Sequence, residues 1–165
     1  MERDNQQVRD ISWLSGFLDG EGCFLIYKRQ RGKAFDLIPE ITFNNSNWID
    51  IEEADRILKE LKIGHFISSV GKYGDRPHKK PMWAIRITGL FRCKSCLVQL
   101  IPYLRGKKKE AELMHAYICS RLSKPQKAAL YSNDELQACE DLKKLKEMSN
   151  PNDYTLELFN EKSKI

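Results

Sequence analysis

Two carboxylates, Asp19 and Glu21, flank Gly20 in the segment Trp13-Leu-Ser-Gly-Phe-Leu-Asp-Gly-Glu-Gly22. A carboxylate beside main-chain carbonyls at a helix end is a donor set for a hard divalent cation such as Mg²⁺. Such an ion fills its shell with water or phosphate oxygens and polarises a phosphodiester towards hydrolysis. Taken alone, an acid at such a position is most simply a solvated side chain, so the chemistry has to be argued from its surroundings. Ser15 and Gly16, on the same segment, are small enough for a second backbone to approach closely. A rival constellation is Cys93-Lys-Ser-Cys96 with His115 and Cys119, which has the ligand types of a Cys₃His zinc site. Both pairs fall on predicted helices, however, where small buried cysteines are the commoner explanation. No nucleophile with a neighbouring histidine and acid, and no glycine-rich phosphate loop, is visible.

Around these residues the chain has 165 positions, 41% hydrophobic and 31% charged. That describes one ordinary folded domain and excludes disordered and collagen-like chains. No apolar run reaches the ~18 residues of a bilayer span. Met1-Glu-Arg-Asp-Asn-Gln-Gln lacks the apolar stretch of a signal peptide, so an unsecreted, intracellular protein without a membrane partner is expected. Five cysteines, an odd number, fit reduced thiols better than a disulfide framework. The net charge is +5, but residues 134–165 hold eight acids against five lysines, so residues 1–133 carry the whole excess of +8. The basic residues gather at Lys28-Arg29-Gln-Arg31-Gly-Lys33, from Lys72 to Lys80, and at Arg105-Gly-Lys107-Lys108-Lys109. Either these runs are solvated turns or they face a polyanion, most simply nucleic acid.

The elements that must position these groups can be read from periodicity. Val8, Ile11, Leu14, Phe17 and Leu18 mark a helix over 7–20 that hands over to an extended segment at Gly20-Glu-Gly22. Cys23–Lys28 and Phe35–Phe43 read as a hairpin turning at Arg31-Gly-Lys, with Pro39 at an edge or a bulge. Ser46-Asn47 can cap a helix carrying Ile51, Ala54, Ile57, Leu58 and Leu61, which Gly64 ends. His65–Val70 and Met82–Thr88 form a second hairpin. Residues 90–101 and 108–122 are helical, Ser132-Asn-Asp-Glu135 is a capping box for a helix through Met148, and a short helix follows Pro151. The fold class is α+β.

Leu14-Ser-Gly-Phe-Leu-Asp-Gly-Glu-Gly22 resembles the nine-position motif of the LAGLIDADG homing endonucleases, and the α-β-β-α-β-β-α order that follows is similar to theirs. The resemblance covers roughly residues 6–122 of a single domain spanning 1–165, with a helical tail over about 130–165. It implies an αββαββα core whose antiparallel sheet forms a DNA-binding saddle. The motif occurs once, and nothing between 80 and 165 repeats a Gly-Phe-x-Asp-Gly-Glu pattern. This resembles the homodimeric class, with Trp13, Ser15, Gly16 and Asp19 at the interface and Asp19 in a hydrogen-bonding role.

The same resemblance implies that Glu21 and the Gly20 carbonyl hold Mg²⁺. Mn²⁺ would substitute and Ca²⁺ would support binding only. Asn47 falls where relatives position the attacking water, although it is equally a normal helix cap. Lys107 falls where a lysine supports charge on the phosphate. The implied activity is double-strand cleavage of a long, pseudo-palindromic target, leaving 3′ overhangs. A catalytically silent DNA-binding regulator, or an intron maturase bound to its own intron RNA, is the alternative on the same fold. The compartment would be the cytoplasm, or a chloroplast or mitochondrion for an organelle-encoded chain.

Alternation along the strands nominates the contacts to bases. Phe24, Ile26, Lys28 and Gln30 share one face of the first strand, opposite Leu25 and Tyr27. Ile38, Glu40, Thr42 and Asn44 follow on the second strand, and Ala84, Arg86 and Thr88 on the fourth. Ser69 and Lys72 are the choices on the third. Arg29, Lys72, Arg76, Lys79 and Lys80 fall mainly to phosphates, and Arg31, Lys33 and Lys108 complete the DNA-binding set.

Overall fold

A computed structural model describes residues 2–70, 81–125 and 130–149. The contacts expected at Lys72, Arg76, Lys79 and Lys80, and the short helix after Pro151, lie outside the described residues. The order is α1 (Glu2–Glu21), β1 (Gly22–Arg31), β2 (Ala34–Asn45), α2 (Trp48–Glu60), β3 (Phe66–Val70), β4 (Met82–Thr88), α3 (Leu90–Leu100), a 3₁₀ turn (Ile101–Tyr103), α4 (Lys108–Leu122) and α5 (Asn133–Ser149). The four strands form an antiparallel sheet in the order β1-β2-β4-β3. The helices pack on one of its faces. Leu14 and Leu18 of α1, Ile57 of α2, Leu97 of α3, Met114 of α4 and Leu142 of α5 join Phe43 and Ile85 in a continuous apolar core. No helix among the described residues is long and apolar enough to cross a membrane.

Local chemistry accounts for several boundaries. The Asn47 side chain accepts the Ile49 N–H at 3.2 Å and so caps α2. Lys62, not the expected Gly64, takes the left-handed conformation after that helix, with φ 57°. The Ile63 N–H closes back on the Leu58 carbonyl at 2.9 Å, so the hydrogen bond is obtained at the cost of a strained lysine. Gly64 serves the packing instead, since a Cβ there would stand 3.0 Å from the Arg92 Nε. The Ser132–Glu135 capping box is formed, with the Ser132 N–H donating to Glu135 Oε2 at 2.8 Å.

Pro39 sits on a strand that is internal in the sheet order, yet at the point where β4 has just ended: the β2–β4 pairing runs only from Glu40↔Thr88 to Asn45↔Trp83. The Gly89 N–H still donates to the Pro39 carbonyl (3.0 Å), and the Gly89 carbonyl turns to the Cys93 N–H (3.0 Å) to begin α3. The N–H that proline lacks is therefore one the ladder does not use. Two residues earlier, Leu37 gives its N–H to the Tyr131 hydroxyl (2.7 Å) and its carbonyl accepts from the Tyr117 hydroxyl (2.9 Å).

Candidate functional site

Helix α1 passes into β1 with no intervening residue. Only glycine fits at the passage, because a Cβ on Gly22 would collide with the Leu18 side chain and come within 2.6 Å of the Leu18 carbonyl oxygen. Glu21 is thus fixed at the junction by steric necessity on one side and helix geometry on the other.

The two acids of the motif have different fates. Asp19 Oδ2 accepts the N–H groups of Arg105 (2.8 Å) and Gly106 (3.2 Å), and its Oδ1 accepts that of Lys107 (2.9 Å). Burial alone would raise its pKa, but the three backbone donors and the Lys107 charge outweigh burial and hold it below the ordinary aspartate value. The Lys107 ammonium in turn donates to the carbonyls of Leu18 (3.2 Å) and Asp19 (2.7 Å) at the end of α1. Glu21 is exposed, and none of the described residues is hydrogen-bonded to its carboxylate. An all-oxygen set of one free carboxylate and helix-end carbonyls, Gly20's among them, suits Mg²⁺. Among the described residues no group of three or more His, Cys, Asp or Glu forms a closed cage, so a cation held there would complete its shell with water or substrate oxygens.

Asn47 spends its side chain on α2: Oδ1 on the first turn, and Nδ2 on Asp50 Oδ2 at 2.9 Å. The register Gly22↔Phe43, carried one step towards Glu21, brings Asn44 beside the junction instead. The zinc alternative is dispersed. Cys93 and Cys96 are buried in the core, where burial pushes the Cys93 thiol up to about 12 and the Cys96 thiol higher still. Only His115 and Cys119 approach each other, at 3.7 Å.

The sheet face turned away from the helices is the candidate nucleic-acid face. On β2 and β4 the phase is as expected, with Ile38, Glu40, Thr42, Asn44, Ala84, Arg86 and Thr88 on this side, but Ala84 is fully buried and cannot contact DNA, and Thr42 is 7% exposed. On β1 the expected phase is inverted. Phe24 (1% exposed) and Ile26 (9%) pair with Ile41 and Pro39 and enter the core, so neither can contact DNA. Lys28 and Gln30 follow them to the helix side, where the Lys28 ammonium lies 4.0 Å from the Phe35 ring centre. Cys23, Leu25, Tyr27 and Arg29 occupy the open face, opposite Thr42, Glu40, Ile38 and Asp36. Ser69, opposite Trp83, also falls on the helix side, leaving Phe66 and Ser68 on the open one. Within that face Glu40 is 7% exposed; its carboxylate accepts the Thr88 hydroxyl at 2.9 Å and lies 3.9 Å from Arg86 Nη1. Arg29 and Arg31 both hold Asp36 Oδ2, at 3.1 and 2.6 Å. Lys33 and Lys108 are exposed.

On α1, Ser15 is fully buried, with its hydroxyl directed to the Leu100 carbonyl at 3.4 Å, and therefore packs inside the chain and not at an interface. Asp19 is likewise spent within its own chain. Gly16 and Gly20 border open space, and Trp13, 38% exposed, stacks on Phe17 at 5.3 Å.

Known structures share this fold. The homing endonuclease I-CvuI, solved with its DNA target, matches 86% of this chain and 83% of its own, with 21% identity and a TM-score of 0.62. The archaeal intron-encoded homing endonuclease I-Vdi141I, also with DNA, matches 87% and 85%, with 16% identity and a TM-score of 0.62. The LAGLIDADG homing endonuclease I-GzeII matches 82% of this chain but 43% of its own length, with 15% identity and a TM-score of 0.56. No family model and no curated protein matches the sequence. The fold is that of the LAGLIDADG homing endonucleases. The chain corresponds to nearly the full length of I-CvuI and I-Vdi141I and to less than half of I-GzeII.

Proposed function

We propose that this chain is a homodimeric, site-specific DNA endonuclease of the LAGLIDADG homing type that uses a divalent metal. The observation that carries the reading is the division of labour between the motif's two acids. Asp19 is consumed in holding the 105–107 turn, whereas Glu21, two residues on, is left exposed at a sterically fixed junction. A protein that only bound DNA would gain nothing from an unpaired carboxylate facing phosphate. The shared fold with I-CvuI, solved with DNA in the presence of calcium and of magnesium, supports metal use.

In this reading the open sheet face, with Arg86, Asn44 and Arg29, lies in the major groove and sets the register. Glu21 and the Gly20 carbonyl would hold the cation, which when bound polarises the phosphate and lowers the pKa of water. Lys107, whose ammonium is held on the Leu18 and Asp19 carbonyls, contributes positive charge beside the same position. Exposed Gly16 and Gly20 let α1 pack against its copy in a second chain, bringing two Glu21 carboxylates together for two strands. Incubating the protein with a randomised duplex library and Mg²⁺, then sequencing cut ends, tests this directly. A single recovered sequence cut with 3′ overhangs is expected. Enrichment of bound duplex without any cut ends would overturn the nuclease in favour of a DNA-binding regulator.

A further inference from the structure

The open sheet face would meet a polyanion, yet two acids stand on it among the described residues. Asp36, at its margin, is held by Arg29 and Arg31. Glu40 is further in, set between Leu25 of β1 and Thr88 of β4 and only 7% exposed. A glutamate can accept from a cytosine amino group, but only where its oxygens are open to the groove. Here Oε2 accepts the Thr88 hydroxyl at 2.9 Å, and Oε1 lies 3.9 Å from Arg86 Nη1.

Arg86 sits on the neighbouring rung, between Thr42 and Phe66, with 42% of its side chain exposed. At 3.9 Å its link to Glu40 is ionic attraction and not a hydrogen bond, so it consumes none of the guanidinium donors. The Nε is buried with no hydrogen-bond partner among the described residues. An isolated arginine is drawn to any phosphate, a contact that carries no sequence information. Beside a buried carboxylate its pull on a phosphate is largely cancelled, while its directional donors remain. A guanine edge, uncharged and bearing two acceptors, suits such a group better than a phosphate does.

We propose that Glu40 is a positioning residue for base readout: it touches no base, offsets the attraction of Arg86 for backbone phosphate, and aims the guanidinium at a guanine in the major groove. The inference rests on the DNA-binding face of the function proposed above, and not on cleavage. An acid on this face then raises discrimination by weakening the binding of every other duplex.

The test is binding in Ca²⁺, over a range of salt, to three kinds of DNA: a duplex recovered by binding selection from a randomised library, the same duplex changed at single base pairs, and unrelated duplex. Glu40→Gln keeps the size of the side chain and an acceptor for Thr88 while removing the charge. It is expected to bind unrelated duplex about twofold or more tighter, with log K against log salt steeper by about 0.9, the slope of one added phosphate contact. Discrimination at one G·C pair of the target is expected to fall about fivefold or more. Glu40→Met, with neither charge nor acceptor, is expected to move both quantities the same way. In an Arg86→Ala background, Glu40→Gln is expected to leave discrimination at that pair unchanged.

A purely structural Glu40 would instead weaken binding to selected and unrelated duplex alike, in step with a lower melting temperature, and that result overturns the inference. So does an equal loss of discrimination with and without Arg86, which would place Glu40 itself on a base. A wild type that binds but never cuts overturns the nuclease and leaves the inference to be decided by these titrations. One that binds no duplex overturns both.

Discussion

Asp19 and Lys107 hold each other by bonds that run in opposite directions: the Asp19 carboxylate accepts the Lys107 N–H at 2.9 Å, and the Lys107 ammonium donates to the Asp19 carbonyl at 2.7 Å. The latch ties the last turn of α1 to the turn before α4, elements far apart in sequence. It sits one residue before Gly20, so it also fixes where Glu21 emerges. Asp19→Asn removes the charge and replaces one acceptor oxygen by a donor, and is expected to lower stability by about 1–2 kcal/mol.

That difference has a defined pH dependence. Because the folded state holds Asp19 below its ordinary value, its contribution is fully present above the unfolded aspartate pKa and fades as pH falls through the lower folded value. Denaturant midpoints of wild type and Asp19→Asn should therefore differ at neutral pH and converge in acid below the usual aspartate range. A gap that stays constant through that range would show that the charge is irrelevant to the latch.

Glu21→Gln keeps the size of the side chain and removes the charge a hard cation needs. Cleavage should fall by about a hundredfold or more, the equivalent of ~3 kcal/mol, while binding in Ca²⁺ changes little. Gel shift and cleavage on the same duplex give both quantities. Cutting at the wild-type rate would remove Glu21 from the chemistry.

Gly16 faces open space, so a larger side chain there costs the isolated chain nothing in packing, and leucine should even favour the helix by up to about 1 kcal/mol. Gly16→Leu should nonetheless convert a species of about twice 19.3 kDa into one near 19.3 kDa, read by light scattering, with melting of the single chain preserved. A wild type that is monomeric and active would sink the dimer.

Arg86 lies on the open face beside Glu40, and its Nε is buried with no hydrogen-bond partner among the described residues. Arg86→Ala should relax preference at a base or two of the target, costing about 1–3 kcal/mol on the preferred sequence. Selection profiles of variant and wild type compare this directly, and identical profiles would place Arg86 outside base readout.

The sequence made the element order plain because long amphipathic helices and two hairpins each carry their own period. What it left ambiguous is a matter of phase. Phe24, Leu25, Ile26 and Tyr27 are apolar on both parities, so alternation alone offers no reason to bury one pair over the other. The choice is made upstream, where Leu18 packs against Gly22 and fixes the orientation in which the strand leaves the helix. On β2 and β4, where polar and apolar residues truly alternate, the faces are legible. Lys62 shows the opposite problem, since a strained non-glycine residue announces nothing. The seating of α5 is illegible for a third reason: its acidic composition reads as a solvated face, whereas Ala138, Cys139 and Leu142 are buried in the common core.

Leu37 bears on how copies of this chain can meet. The stretch of β2 that β4 does not reach would offer its backbone to any passing strand, the usual route to open-ended stacking of chains. With both outward-facing groups of Leu37 occupied by the hydroxyls of Tyr131 and Tyr117, a foreign strand finds no donor or acceptor there. Open-ended stacking of chains along that margin is therefore discouraged by two phenol groups.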